Sequence, residues 1–409
     1  MRFVLISTHV DQTTGYSKVS FNLLSQLATL APRVKTYHFG FQRHPDRKSV
    51  RKAPEGVVLY DAGANEDPKE EGFGFNKIHE YLDMVNPDIV MIYNDPLIIC
   101  KFLDAMKVTE TPPRYKVWTY VDQVYTGIAQ PLIDKIRDCS DKIYCFTDEW
   151  ARVFKTYGIS KEIGIIEHAV DPTVFSNMPQ STRMTLRTSQ KIAPDSIVFL
   201  NANRNSQRKR LDTMLIGFVR LLVRNPTLPL YLMCVTVTGP QAGAYYDLHR
   251  IFVDQLKRAN LPFEEFKTRL MIVDTTPPNT LPDDIINQIY NLTDIGINTS
   301  DGEGFGLCQL EHLYTGAPQV VTDVGSYRSF LNESVTDFIP RCDIDVYFPG
   351  SMPLGLSAPT FSPEDTATAM ESAVKNLATR REKIREHTFM TWKTVCAGFL
   401  QDILHHASA

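Results

Sequence analysis

The feature that most constrains this chain is an alternation. Short apolar runs rich in Val, Ile, Phe and Tyr are followed repeatedly by stretches whose apolar residues recur at helical spacing. Such a pattern is the signature of βαβ units, which form parallel sheets covered by helices. In the first half the predicted strands are Phe3–Ser7, Val34–Phe39, Val57–Tyr60, Ile89–Tyr93, Val117–Val121, Ile143–Thr147 and Ile163–Ile166. Leu23, Leu24, Leu27 and Leu30 place an apolar stripe on a helix after the first strand, and further helices are predicted at 77–86, 96–107, 130–139 and 148–157. Over 171–193 the rhythm lapses, and Asp171-Pro172, Pro179, Ser181 and Thr182 read as a linker. It then restarts, with strands Ile197–Asn201, Leu230–Val237, Leu270–Val273, Ile295–Asn298 and Gln319–Thr322, and helices at 211–224, 244–260, 283–293 and 307–316. The expectation is two successive Rossmann-like, doubly wound α/β domains; 409 residues exceed what one core usually supports. Residues 339–363 are proline-rich and aperiodic and read as loops, while 364–405 carry helical pattern interrupted near His387.

Composition narrows the function classes. A net charge of −4 gives no global sign of a nucleic-acid partner. Charge is uneven, however. Arg33, Lys35, Arg43, Arg47, Lys48, Arg51 and Lys52 precede an acidic stretch of Asp61, Glu66, Asp67, Glu70 and Glu71. Solvated loops, a surface for an anionic acceptor and peripheral contact with an acidic membrane are its three readings. The cysteines at 100, 139, 145, 234, 308, 342 and 396 show no C-x-x-C, which argues for reduced thiols and against a disulfide framework or a zinc site. Phe3–Ile6 is too short for a signal-peptide core, and no run approaches the ~20 apolar residues of a membrane span. A soluble cytoplasmic protein is expected. Sequons at Asn291, Asn298 and Asn332 are short enough to arise by chance.

The sharpest chemical signal is Ser300-Asp301-Gly302-Glu303-Gly304-Phe305-Gly306-Leu307, with Glu311 eight residues after Glu303. It follows a predicted strand and opens a predicted helix. Free N–H groups at a helix start attract anions, and glycine lets a diphosphate approach the backbone. Two glutamates beside a phosphate would repel it unless they bind hydroxyls, and carboxylates accept well from a ribose diol or a hexose.

Glu303-Gly304-Phe305-Gly306 with Glu311, followed by Gly316-Ala317-Pro318-Gln319-Val320-Val321-Thr322, resembles the E-x7-E signature of retaining GT-B glycosyltransferases of family 4. The resemblance implies that Glu303 faces the transferred hexose and Glu311 the ribose. Ala202-Asn203-Arg204 and Lys209 are similar to the family's G-R-x4-K loop, with Asn203 in place of its glycine; the resemblance makes Arg204 and Lys209 the grip on the donor diphosphate. Arg208 and Arg210 add to this cluster. The turn Gln12-Thr13-Thr14-Gly15-Tyr16 resembles the family's donor-contacting glycine turn, of which Gly15 remains. Ile165–Asp171 with Phe175 resembles the interdomain segment, and Phe389-Met390-Thr391-Trp392 the start of a terminal helix that crosses back onto the first domain. The resemblance thus spans nearly the whole chain, and includes virus-encoded members.

One departure stands out. Where the family commonly has a histidine near the reacting carbon, this chain has Val121, with Asp122 matching the next position. Asp122, His9 and His168 are the candidates for its role. Asp343-Ile344-Asp345 fits a D-x-D metal pattern of a different transferase fold, but cationic side chains and a helix start already serve the diphosphate, so neither metal nor cofactor is expected.

The resemblance implies domains at 1–175 (acceptor side) and 190–380 (donor side), a returning helix at 381–409, and a site in the cleft between the domains. It implies metal-independent transfer of a hexose from a nucleoside diphosphate sugar, with GDP-mannose favoured over UDP-sugars, to a hydroxyl of a glycan, glycolipid or glycoprotein. Catalysis would rest on Glu303, Arg204, Lys209 and Asp122, and donor binding on Gly15, Arg204, Lys209, Glu303, Gly304, Phe305, Gly306, Leu307 and Glu311. The rivals are a nucleotide-sugar-binding protein without transfer, and a dinucleotide-dependent oxidoreductase or epimerase. The latter wants G-x-G-x-x-G after the first strand, which Thr13-Thr14-Gly15 does not supply.

Overall fold

The computed structural model of the protein describes residues 1–64, 68–349 and 355–408, so Glu66 and Asp67 of the acidic stretch lie outside the described residues. The chain divides into two compact units. Unit 1 is Met1–Ala169, Tyr347–Ser357 and Met390–Ala409; unit 2 is Val170–Val346 and Ala358–Phe389.

Unit 1 is built on strands β1 (Arg2–Thr8), β2 (Lys35–Phe41), β3 (Val57–Asp61), β4 (Ile89–Asn94), β5 (Lys116–Val121), β6 (Lys142–Cys145) and β7 (Ile163–Ile165). They form one parallel sheet in the order β3-β2-β1-β4-β5-β6-β7. Every residue of β4 is buried, as expected of a central parallel strand covered on both faces. The connections are helices α1 (Gly15–Leu30), α2 (Ile78–Val85), α3 (Pro96–Ala105), α4 (Gln130–Cys139) and α5 (Asp148–Thr156). Local chemistry starts them. Thr14 caps α1 by accepting from the Ser17 N–H at 3.2 Å, and Asp95 caps α3 from Ile98 at 3.0 Å, with Pro96 in the first turn. Thr147 was expected to end a strand; its hydroxyl instead caps α5, so β6 stops at Cys145.

Unit 2 begins with α6 (Gln180–Ser189), then β8 (Ile197–Asn201), α7 (Leu211–Arg224), β9 (Leu230–Thr236), α8 (Leu248–Arg258), α9 (Phe263–Phe266) and β10 (Leu270–Asp274). It continues through α10 (Asp283–Leu292), β11 (Ile295–Asn298), α11 (Leu307–Tyr314), β12 (Gln319–Thr322), α12 (Tyr327–Phe330) and β13 (Thr336–Ile339). The second parallel sheet runs β10-β9-β8-β11-β12-β13. Its core joins Phe199, Leu215, Phe218, Leu232, Ile297, Val320 and Met370, each fully buried apolar side chain contributing roughly 1.5–3 kcal/mol. After a two-stranded sheet of β14 (Arg341–Tyr347) and β15 (Ser357–Phe361) come α13 (Pro363–Lys375), α14 (Leu377–Arg385) and α15 (Trp392–Ser408). Phe399 of α15 meets Phe3, Trp118 and Tyr144 edge-on at 6.0, 6.1 and 5.4 Å, and the Tyr144 hydroxyl donates to Asp402 at 2.9 Å. The last helix therefore belongs to unit 1.

Three expectations are corrected. The expected linker contains α6, whose Ser- and Thr-rich sequence hides it. Arginine holds it: Arg187, 1% exposed, donates to Asp294 (2.9 Å) and to the carbonyls of Leu292 (2.9 Å) and Ser196 (2.6 Å), while Arg183 reaches the same carboxylate at 2.5 Å. The expected loops at 339–363 contain β14 and β15; β14 is largely exposed on both faces and so carries no alternation. The predicted 244–260 helix starts at Leu248, where Asp247 caps it.

The charged stretch also finds its place. Arg43 bridges Asp11 (2.8 Å) and Asp61 (3.0 Å), and Arg51 donates to the Gln12 carbonyl and the Ser17 hydroxyl (3.1 Å). All seven cysteines are free thiols. Asn291 and Asn298 are buried at 3% and 0% exposure, which removes two of the three sequons from the surface. Among the described residues no helix is long and apolar enough to cross a membrane.

Candidate active site

In each sheet the strand order reverses beside the first strand, between β1 and β4 in unit 1 and between β8 and β11 in unit 2. Open α/β sheets bind ligands at such switch points, beyond the carboxyl ends of the strands. Both motifs of the second half fall there: Ala202–Arg210 follows β8, and Ser300–Gly306 follows β11.

The glycine-rich turn is shaped by its neighbours. Gly306 caps α11 with φ of 99°, and a Cβ there would lie 2.3 Å from Cε1 of Tyr327. Thr322 donates its hydroxyl to the Ser300 carbonyl at 2.5 Å, and Ser326 to that of Gly304 at 2.7 Å. The backbone N–H groups of Gly306 and Leu307 make no hydrogen bond among the described residues. Together with the positive end of the helix dipole they form an anion-binding terminus.

The β8 loop brings the cations. Lys209 is buried, donating to Asn203 Oδ1 at 2.9 Å and forming an ion pair with Glu303 Oε2. Arg208 donates to the Gly302 carbonyl at 2.7 Å and lies 3.5 Å from Glu303 Oε1. Arg204 is exposed and its side chain makes no ion pair or hydrogen bond among the described residues; its Nη2 lies 3.8 Å from the Cβ position of Gly243. Arg210 turns away to Asp212 at 3.0 Å. The turn thus keeps one free cation, two in contact with Glu303, and one occupied elsewhere.

Burial alone would raise the Glu303 carboxyl, but Lys209 and then Arg208 outweigh it and bring it down to about 2. Lys209 is lowered as well, first by burial and then by Arg208, with Glu303 opposing. The two shifts differ in sense for an ion pair, since a partner should raise a lysine. Glu303 answers to two cations and Lys209 to one anion, so the carboxylate is the better stabilised member.

Glu311 is buried on α11, where the Tyr290 hydroxyl donates to its Oε2 at 3.0 Å. Tyr290 in turn stacks on His312, with centroids 5.2 Å apart. Sequence reasoning missed several members of this site. Asn298, a chance sequon by its pattern, donates to Gln309 Oε1 (3.1 Å) and to Asn203 Oδ1 (3.3 Å), and accepts from the Ser300 N–H (2.8 Å). It forms the floor between the two loops. Asparagines ending both β8 and β11 were the available signal.

In unit 1, Gly15 is the first residue of α1, and Asp122 follows β5 with its N–H bonded to the Asn94 carbonyl at 2.9 Å. Burial and then Asp122 raise the Tyr16 hydroxyl, which lies in hydrogen-bonding contact with that carboxylate. Val121, where the sequence resemblance expects a histidine, is 2% exposed. His9 is directed by Asp11 at Nδ1 (2.7 Å), and its ring fills the space over Gly40, where a Cβ would lie 2.4 Å from Cδ2. His168 is enclosed by Tyr93, Tyr120, Phe146 and Trp392, and burial pushes it down to about 3. In the D-x-D segment Arg341 engages Asp345 at 2.5 Å.

The two Rossmann-like units, with parallel sheets of seven and six strands, match the fold of GT-B glycosyltransferase structures. No family model matches the chain. It is 28% identical over 208 residues to a D-inositol 3-phosphate glycosyltransferase of Thermobifida fusca, covering 50% of this chain and 44% of that protein. With D-inositol 3-phosphate glycosyltransferase 2 of Catenulispora acidiphila it shares 24% identity over 250 residues, covering 60% and 54%. The chain thus spans about half the length of these curated relatives. Among solved structures it resembles sucrose-phosphate synthase from Thermosynechococcus elongatus (TM-score 0.70, 14% identity, 100% of both chains). It also resembles a glycosyltransferase from Rickettsia africae (TM-score 0.70, 13% identity, 99% and 98% covered) and Anabaena HepE in complex with UDP and glucose (TM-score 0.66, 13% identity, 99% and 100% covered).

Proposed function

We propose that this chain transfers a hexosyl group from a nucleoside diphosphate sugar to an acceptor hydroxyl, with retention of anomeric configuration and without a metal. One arrangement carries the reading. Arg204, Lys209 and the open N–H groups of Gly306 and Leu307 gather at the carboxyl edge of the second sheet, beside two buried glutamates. A diphosphate leaving group needs fixed positive charge as the C1–O bond breaks, and a water-poor site makes that charge effective. Glu303 and Glu311 then accept from hexose and ribose hydroxyls, with Lys209 exchanging Glu303 for the diphosphate. In retention the acceptor oxygen bonds to C1 on the face the diphosphate leaves, and the hydroxyl proton passes to a phosphate oxygen.

The acceptor side is assigned to unit 1, with Asp122, next to the end of β5, in the catalytic role and Gly15, at the start of α1, assigned to donor binding. A glycan, glycolipid or glycoprotein hydroxyl is its proposed substrate. GDP-mannose is the first donor to test; UDP-glucose is its competitor, because HepE is also known in complex with that nucleotide sugar.

The test is calorimetric titration with GDP-mannose, UDP-glucose and UDP-N-acetylglucosamine on the wild type and on Arg204→Ala/Lys209→Ala, followed by NMR of the first-formed product. The expected result is selective binding of one donor, lost in the double variant, and a retained anomer. An inverted centre would overturn retention, and binding without transfer or donor hydrolysis would leave a nucleotide-sugar-binding protein. Binding of no donor would sink the reading.

A further inference from the structure

Arg208 lies outside the residues that the sequence resemblance assigns, yet it is laced into the site more tightly than Arg204. Its carbonyl accepts from the Asp301 N–H at 2.9 Å, its guanidinium donates to the Gly302 carbonyl at 2.7 Å, and Nη1 lies 3.5 Å from Glu303 Oε1. Lys209 takes the other carboxylate oxygen, Oε2. The adjoining backbone is tied as well: Thr299 donates its hydroxyl to the carbonyls of Lys209 (3.1 Å) and Arg210 (2.9 Å). Glu303 thus faces a different cation at each carboxylate oxygen. Lys209 presents a single charged terminus, whereas the guanidinium of Arg208 is a planar fork that also holds the Gly302 carbonyl.

We propose that Arg208 is a positioning residue: it keeps Glu303 ionised and aimed when Lys209 turns to the donor diphosphate. The inference rests on the function proposed above. A buried carboxylate whose only cation is withdrawn becomes an uncompensated buried charge. Arg208 removes that conflict, since its contact with Oε1 persists while Lys209 changes partner. Among the described residues the other groups facing Glu303 are neutral: Asn298 Nδ2 lies 3.4 Å from Oε2, Ser300 Oγ is also 3.4 Å away, and the Tyr327 hydroxyl is held protonated by burial and then by Glu303 itself. None of them replaces a cation.

The experiment compares Arg208→Ala and Arg208→Lys with wild type, alone and in a Glu303→Gln background. Expected for Arg208→Ala is a fall in kcat of about tenfold to a hundredfold, with donor Kd by calorimetry within about threefold. Arg208→Lys should recover part of the loss, because charge is kept and the fork is not. In Glu303→Gln, Arg208→Ala should cost less than about threefold more, as expected of residues acting as one unit. A donor Kd weakened by more than about tenfold with kcat unchanged would overturn the proposal and make Arg208 a diphosphate ligand. Additive losses in the double variant would overturn it too. If the wild type transfers from no donor, the proposed function fails, and amide hydrogen exchange of residues 299–306 becomes the readout. Faster exchange in Arg208→Ala than in Arg204→Ala upholds the positioning role; equal rates reject it.

Discussion

The hydroxyl of Tyr290 donates to Oε2 of Glu311 at 3.0 Å, with both side chains buried. The bond links α10 to α11 and fixes the carboxylate proposed to meet the ribose. Tyr290→Phe keeps the ring on His312 and deletes only the donor. It should lower stability by about 0.5–1.5 kcal/mol, the net value of one buried hydrogen bond, and weaken donor binding about threefold to tenfold, since a less fixed group binds less well. Calorimetry and urea denaturation read the two effects. Unchanged donor affinity would show that Glu311 needs no support from Tyr290.

Arg204 and Lys209 should separate affinity from stability. Arg204 is exposed and unpaired among the described residues, so Arg204→Ala should change stability by less than about 0.5 kcal/mol. Its loss should nevertheless weaken donor binding by about tenfold or more, the value of a charge-assisted phosphate contact. Lys209→Ala takes the nearer cation from buried Glu303 but leaves Arg208 facing Oε1, and should cost about 1–3 kcal/mol. Thermal unfolding of both variants decides this. Equal melting temperatures would mean the ion pair contributes little.

Much of this was legible in the sequence, and the reasons are physical. Ile197–Asn201, Ile295–Asn298 and Gln319–Thr322 fall where predicted, because central parallel strands are short, apolar and bounded by polar turns. Helix α6 and strand β14 were not legible. The former is held by Arg183 and Arg187 on Asp294, a residue more than 100 positions away, and the latter has no buried face. At the site, glycine and charge marked the loops. The pairing of Lys209 and Arg208 with Glu303 spans 94 positions or more, and the Asn298 floor depends on β8 lying beside β11. Local pattern carries no record of either.

Glu303 should leave a signature in acid. Its carboxyl titrates at about 2 in the folded chain against an ordinary 4.5, so between these values the unfolded chain binds more protons. The stabilisation from its cations is therefore fully present above about pH 4.5 and is lost as pH falls toward about 2. Glu303→Gln has no such group. The stability difference between wild type and Glu303→Gln, by urea denaturation from pH 5 to 2.5, should shift steadily against the wild type. A difference independent of pH would mean that Glu303 is not held ionised by Lys209 and Arg208.

Gly325 tests how closely the site backbone is packed. It has φ of 59°, and a Cβ there would lie 1.7 Å from the carbonyl oxygen of Glu303. Gly243 has φ of 83° as well, but its Cβ position meets only Nη2 of Arg204 at 3.8 Å, an ordinary contact. Alanine at either position carries the left-handed backbone cost of about 1–2 kcal/mol. Only at Gly325 must the new methyl push on backbone, adding about 1–3 kcal/mol of overpacking. Gly325→Ala should therefore be the less stable variant by about that margin. It should also weaken donor binding, because the displaced atom belongs to the residue proposed to face the hexose. Denaturant unfolding of the pair, with donor titration of both, measures the excess. Equal stability would mean that the Glu303 loop yields at little cost, and its geometry would then be set by the donor and not by the fold.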